Sequence, residues 1–403
     1  MENAQIDNQL FHMFDGSFRA LKDLKVGDEL MGADSQPCTI QNIVTTEEET
    51  YSVTPVKGDP YFVSSSDTLT LYCIPPFINW CENRNSYRVR WFDKFEFKMT
   101  SSNFNVKNYE SKEEALTAAE NFKNSLDQNR EFSISIHKFL KMKSKEMKDS
   151  KAYKVALDFP TREFKFDPYF IGYWLGDGTA KGPVLTIGNE DKHMVEYFAK
   201  YFKDNFDMEC INHGFNYRFK NKKILGYRTK NVLIDYLKEK KLLDNKHIPI
   251  EFLHSSRESR LRLLAGLIDS DGHLEHNCYD FIQKREGLFD DVVYLSRSLG
   301  FSCYKLPCEK TCTNAPGGPK TGNYFRCQIS GKGIDEVPCM IPKKKAHARE
   351  QIKDVLVTGI TLKSVGVFKN YRINTDKPKF LLSDFTVRHR YVPTLNIIKS
   401  STN

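Results

Sequence analysis

The sequence predicts a multi-domain chain in which an all-β part is joined to an α+β part made of two similar halves. Three observations carry this. Residues 1–75 read as short strands cut by the turn signals Asp15-Gly16, Gly27-Asp28 and Gly32-Ala33-Asp34. The stretch Leu264-Ala265-Gly266-Leu267-Ile268-Asp269-Ser270-Asp271-Gly272 ends a helical apolar period in a carboxylate and a glycine. A second copy, Phe170-Ile171-Gly172-Tyr173-Trp174-Leu175-Gly176-Asp177-Gly178, places Asp177 in register with Asp271. Similar strand and helix patterns follow each copy. At 403 residues, two or three domains are expected.

The first segment spans residues 1–85. Within it, Met13-Phe14-Asp15-Gly16 and Leu24-Lys25-Val26-Gly27-Asp28-Glu29-Leu30-Met31-Gly32 resemble the opening of the Hint fold, the all-β self-splicing module of inteins. Residues 354–403 carry a matching ending, Lys379-Phe380-Leu381-Leu382-Ser383-Asp384-Phe385-Thr386-Val387-Arg388-His389-Arg390. A module whose ends bracket the chain implies that the α+β domain is inserted within it. Splicing requires a Cys or Ser at the first position, to take the upstream acyl group onto its side chain. That position falls near Ala4. The resemblance also requires a His at the place held by Asp67, and an Asn after His389, where Arg390 stands and cannot cyclise. The module is expected to persist as a scaffold without splicing.

The next segment, residues 86–160, is basic and aromatic, and is expected to hold a DNA-recognition region together with the return into the β module. Tyr87-Arg88-Val89-Arg90-Trp91-Phe92 alternates as a strand with Arg88 and Arg90 on one face. Ser111-Lys112-Glu113-Glu114 opens a helix to about Leu126, and residues 132–136 form a strand. Lysines then recur, among them Lys141, Lys143 and Lys145. Such a face either meets phosphates or is simply solvated. The region is similar to the added DNA-recognition part of intein-type homing endonucleases, which favours phosphates.

Residues 161–353 hold the two halves. Asp167 caps and Pro168 starts the first motif helix, and Ser255-Ser256-Arg257-Glu258 reads as a capping box for the second. After Asp177 come a strand at 184–187, a helix at 190–204, a strand at 215–219 and a helix at 232–240. After Asp271 come a strand at 279–283, a helix at 287–299 and strands near 301–305 and 324–329. The paired motifs resemble those of LAGLIDADG homing endonucleases. That resemblance implies two pseudo-symmetric αββαββα halves, with packed motif helices at the centre and strands forming a saddle for duplex DNA. Arg218 and Lys284 are its candidate saddle contacts, though either also reads as a solvated surface charge.

Phosphodiester hydrolysis needs an activated water, neutralised phosphate oxygens and help for the leaving oxygen, which carboxylate-held divalent metals supply. Asp177 and Asp271 are therefore the candidate Mg2+ ligands and catalytic residues; Asp269 is out of register. Lys246, in Lys246-His247-Ile248-Pro249, resembles a catalytic Lys-x-Ile-Pro of an intein-borne family member. The second basic residue falls within Lys343-Lys344-Lys345. Lys345 aligns best and Lys344 is the alternative. An acidic residue seen after the first motif in that relative corresponds to Gly188 or Asn189 here.

The resemblance thus implies a monomeric, site-specific DNA endonuclease that makes a staggered double-strand break at a long asymmetric site. Alternatives are a nuclease-dead DNA-binding protein, an RNA-binding maturase, or a working intein, the last opposed by Ala4, Asp67 and Arg390. A net charge of +8 permits a nucleic-acid partner. No apolar run reaches transmembrane length and the N-terminus does not read as a signal peptide, so a nuclear or otherwise intracellular protein without a membrane partner is expected. The ten cysteines are scattered, which favours reduced thiols. Cys303, Cys308, Cys312 and Cys327 cluster more closely, but their spacing matches no zinc finger, so zinc is not expected.

Overall fold

Two 19-residue strands, Pro37–Pro55 and Val357–Thr375, pair antiparallel although nearly the whole chain separates them. They are seen in a computed structural model that describes residues 2–211, 214–222, 231–312, 318–348 and 353–391. Around them gather Glu29–Met31, Tyr61–Ser64, Thr68–Tyr72, Glu131–Ser135 and Lys151–Tyr153 in one seven-stranded sheet. Phe11, Leu30, Ile40, Val53, Leu71, Ile134 and Phe380 fill its core. Thr, Val, Ile and Tyr alternate with polar residues along these strands, as a half-buried pleat requires. A separate sheet of Phe77–Cys81, Ser86–Asp93 and Lys98–Asn105 packs on the helix Lys112–Ser125. Ser111 caps that helix by accepting from the Glu114 N–H, and the Glu114 carboxylate accepts from the Glu110 N–H.

Residues 1–155 and 356–403 form one compact unit, and residues 156–355 form the other. In the first, chain exit and return lie side by side: the Lys154 N–H donates to the Leu356 carbonyl at 2.8 Å, and Lys151–Tyr153 pairs with Val357–Gly359. A short helix, Glu2–Asp7, opens this unit where the sequence reading has only strands.

The second unit has two halves. The first runs through the helix Pro168–Asp177, the strand Val184–Thr186, the helix His193–Tyr201, the strands Phe206–Ile211 and Asn216–Asn221, and the helix Val232–Glu239. The strand expected at 184–187 is present as Val184–Thr186, and Gly178 adds a single bridge to Leu185. The second half runs through the helix Arg257–Asp271, the strands Gly272–Glu275 and Cys278–Gln283, the helix Glu286–Ser298, and the strands Leu306–Cys312 and Lys320–Ile329. The strand expected at 301–305 falls instead at Leu306–Cys312, leaving one bridge at Ser302. Among the described residues, 3-10 turns at Ile334–Glu336 and Pro342–Lys344 stand where a closing helix was expected. No described helix is long and apolar enough to cross a membrane.

Candidate active site

The site is built on the two motif helices. Asp167 caps the first, accepting from the Tyr169 N–H at 2.7 Å, with Pro168 at its first position. The second is capped by Ser256, whose hydroxyl accepts from the Ser259 N–H. The helix starts at Arg257, where the serine–glutamate pattern puts it, but with Ser256 as the cap Glu258 stands one position short of closing a capping box. Gly172 and Gly266 let the two backbones meet. A β-carbon on Gly266 would lie 2.1 Å from the Tyr169 carbonyl oxygen, and one on Gly172 would lie 2.1 Å from that of Leu263. Close approach explains glycine inside two buried helices, where it is otherwise a poor choice.

Packed this way, both helices end together, and the two tips carry Asp177 and Asp271. Burial, then the nearby charge of Asp271, pushes the Asp177 carboxyl up to about 7, against the pull of Lys344 and Lys246. Burial also raises the Asp271 carboxyl, opposed chiefly by Lys246. Asp269 has another role. It accepts from the Tyr169 hydroxyl at 2.8 Å and from the Met340 N–H at 2.6 Å, tying the second helix to the first and to the chain beyond.

Two lysines reach the helix tips in parallel fashion. The Lys246 ammonium donates to the Gly176 carbonyl at 2.9 Å. The Lys344 ammonium donates to the carbonyls of Ile268 and Asp269 at 2.9 and 2.7 Å. Burial lowers Lys246 to about 8, offset by the attraction of Asp271. Burial lowers Lys344 as well. Lys345 is exposed and Lys344 buried, because the 3-10 turn Pro342–Lys344 carries Lys344 inward; of the two alignments, the one through Lys344 sets the lysine at the helix tip.

Lys246, Asp271, Gln283 and Arg285 line an open cavity of about 280 Å3. The Gln283 amide donates to the Asp271 carboxylate at 3.1 Å, while its oxygen accepts from the Lys284 and Arg285 N–H groups. Sequence reading missed Gln283 and Arg285. The signal was Asn277: with His276 it forms a two-residue turn in the left-handed region, which folds the strand back so that Gln283 returns to the helix tip. At the same offset from Asp177 stands Asn189, which is exposed.

The other candidate residues are dispersed. Arg218 is exposed on Asn216–Asn221 and Lys284 is exposed past Cys278–Gln283. In the first unit, Arg88 donates to the Asn103 side chain at 2.8 Å and Arg90 lies 5.7 Å from the Phe77 ring centre. Lys141, Lys143 and Lys145 are exposed. Cys303 and Cys327 are buried free thiols, Cys308 is half-buried, and the Cys312 side chain lies outside the described residues.

The splicing positions are also in the first unit. Ala4 lies in the helix Glu2–Asp7, with its side chain outside the described residues. Asp67 accepts from the Ser64 N–H at 2.8 Å and pairs with Arg388 at 3.0 Å. His389 faces the Arg390 carbonyl, and Arg390 donates to the Thr375 carbonyl at 2.6 Å. Lys154 and Asp384 form a second buried ion pair at 2.7 Å.

No family model matches the chain. It is 32% identical over 149 residues to the replicative DNA helicase DnaB of Mycobacterium intracellulare, covering 37% of this chain and 21% of the helicase. It is 27% identical to the homothallic switching endonuclease of Saccharomyces cerevisiae, covering 47% of this chain and 39% of that protein. The chain thus spans about a fifth and two fifths of the length of these curated relatives. Among solved structures, the homing endonuclease I-DmoI with DNA and calcium is 13% identical, with a TM-score of 0.28 over 42% of this chain and 85% of that one. The same enzyme with DNA and manganese is 14% identical, with a TM-score of 0.25 over 41% and 88%. In its paired helix-tip motifs and in its likeness to the yeast switching endonuclease, the chain resembles the LAGLIDADG homing endonucleases.

Proposed function

We propose that the chain is a site-specific homing-type DNA endonuclease. In this reading it acts as a monomer, makes a staggered double-strand break at a long asymmetric site by metal-dependent hydrolysis, and no longer splices. It works wherever genomic DNA is accessible, in the nucleus or elsewhere inside the cell. The observation that carries the reading is the pair of aspartates, half-buried Asp177 and solvent-reached Asp271, brought to adjoining helix tips with a buried lysine beside each tip.

The donor set fits a hard divalent cation. Burial and the charge of Asp271 raise the proton affinity of Asp177, and Lys344 and Lys246 offset this only in part, so the two carboxylates leave room for a further positive charge. Asp177 and Asp271, with DNA phosphates, would hold Mg2+, which would supply charge neutralisation and a more acidic water. The chain's own residues do the rest. Gln283 fixes the rotamer of Asp271. Lys246, with its proton affinity lowered to about 8, sits where it can hold or release a proton near neutral pH and stabilise charge on the reacting phosphate. Arg285 lines the same cavity and offers a second cation to the phosphate. Arg88, Arg90 and the lysines at 141, 143 and 145 supply affinity without chemistry.

The test is cleavage of supercoiled plasmid carrying a site selected from a randomised library. Asp177→Asn and Asp271→Asn should each abolish linear product with Mg2+ yet bind the site in chelator, since Asn keeps size and loses charge. A folded variant that still cuts both strands at the wild-type rate would sink the reading. Loss of splicing is tested by expressing the chain between two tags: a ligated tag–tag product would overturn it.

A further inference from the structure

The first unit contains a cavity of about 330 Å3 that the cleavage chemistry does not use. Lys98, Lys138, Lys141 and Lys143 line it. So do the Phe97 ring and the Met142 thioether. Glu146 lines it too; that residue is 9% exposed, and its Oε2 is buried without a hydrogen-bond partner. A buried carboxylate oxygen left unpaired has lost its water without gaining a partner, so it marks a place where a donor is missing. Phe97 adds a separate sign. It sits at φ 50°, in the left-handed region that a bulky residue rarely adopts. Strain of this kind gathers at ligand clamps. Asp93 holds the turn in place by accepting from the N–H groups of Phe95 and Glu96.

We propose that this cavity binds a guanine nucleotide. The lysines take the phosphate. Phe97 and Met142 cover the base, as aromatic and thioether groups do for unstacked bases. The Glu146 carboxylate accepts from the guanine N1–H and N2–H2. Guanine alone among the bases presents two adjacent donors on that edge. Adenine and cytosine place a ring acceptor beside their amino donor, and thymine flanks its one donor with two carbonyls, so each would set an acceptor against the carboxylate. The inference does not depend on the cleavage chemistry, whose aspartates and lysines lie in the second unit, although Lys141 and Lys143 also belong to the proposed DNA-binding face.

Calorimetry on the full chain tests it with guanosine, inosine and adenosine monophosphates and with inorganic phosphate. Guanosine monophosphate should bind at least about tenfold tighter than the adenosine form, and the inosine form, which lacks the N2 amine, should fall between them. Glu146→Gln should erase the preference while leaving inorganic phosphate binding unchanged. Lys141→Ala with Lys143→Ala should weaken all four ligands. A single dG within a short dT oligonucleotide, compared with dT alone, distinguishes a base in a strand from a free nucleotide: a dG preference abolished by Glu146→Gln assigns the strand, and its absence beside a monophosphate preference assigns the free ligand. Equal binding of the guanosine and adenosine forms to the wild type would overturn the proposal, as would a guanine preference that survives Glu146→Gln. The wild-type series decides even if that variant fails to fold.

Discussion

A buried ammonium must place its protons on acceptors, and Lys344 does so on the last carbonyls of the second motif helix, where the helix dipole is negative. Its charge is thereby fixed at the tip that carries Asp271. Three adjacent lysines look alike in sequence; only the phase of the 3-10 turn Pro342–Lys344 separates them. Lys344→Met, which keeps the apolar stem and removes the charge, should slow plasmid linearisation by roughly 10²-fold or more if the charge acts in the transition state. Lys345→Met should remain near the wild-type rate. The reverse ranking, in proteins with matching melting curves, would restore the alignment with Lys345. Asp291 offers a test of a different kind. It accepts from the Ile248 N–H at 2.7 Å, yet burial, opposed by that bond, raises its carboxyl to about 6. The folded form therefore holds this proton more tightly than the unfolded chain. The group's stabilising contribution is complete below the unfolded value near 3.8 and is lost as pH rises through about 6. Asp291→Asn keeps an acceptor for Ile248 and never ionises. Relative to wild type it should gain on the order of 2 kcal/mol between pH 4 and pH 7, at about 1.4 kcal/mol per pKa unit. Denaturant melts at both pH values check this, and an equal difference at the two would refute it.

The motif helices show how far sequence carries an element. Asp167, Pro168 and the apolar spacing mark the first helix correctly because capping and burial are both local signals. The second helix starts at Arg257, where the serine–glutamate pattern puts it, but its cap is Ser256 and not Ser255, since both cap equally well on paper and tertiary packing chooses between them. Short strands were harder. Phe206–Ile211 and Gly272–Glu275 carry no clean alternation, and they exist because a neighbouring strand pairs with them. The same limit hid Gln283, whose place beside Asp271 depends on that second hairpin. What the sequence does show is a glycine in each motif helix, and the structure gives the reason in backbone contact. Gly266→Ala should therefore destabilise the second unit by about 3 kcal/mol or more and abolish cutting, because the atoms it would meet, the Tyr169 carbonyl oxygen at 2.1 Å and the Tyr173 nitrogen at 2.6 Å, are backbone and not movable side chains. Gly287→Ala, in the helix Glu286–Ser298 with nothing within 4 Å of a new β-carbon, should be neutral or slightly stabilising. Thermal melts of the two variants should thus diverge; a tolerated Gly266→Ala would mean that the helices do not meet as described.

At the scale of the molecule, resemblance at the two chain ends suggested one module bracketing another, and the pairing of Pro37–Pro55 with Val357–Thr375 gives that bracketing a physical form. The exact edges were less legible. The division at 155 and 356 lies a few residues from the boundaries at 161 and 353, because the first turn and breaker residues after Tyr153, Asp158 and Pro160, fall past the division. The first unit can close its sheet only after Val357–Thr375 has been made, so an intervening folded segment lengthens the loop to be closed. Loop entropy grows only logarithmically with length, and a folded insert whose ends are near each other costs less still. Here the ends do meet, at the bond from the Lys154 N–H to the Leu356 carbonyl. Residues 156–355 should therefore be removable. A chain in which a short Gly/Ser linker joins Val155 to Leu356 should remain folded, with a cooperative thermal transition and a strand-dominated circular-dichroism spectrum, because none of the seven-stranded sheet lies in the deleted part. Expressed alone, residues 156–355 should keep their helical spectrum, since the buried pair of motif helices lies wholly within them. If the linker-joined chain instead lacked a cooperative transition, the strands at 37–55 and 357–375 would be held together by the insert and not by their own pairing.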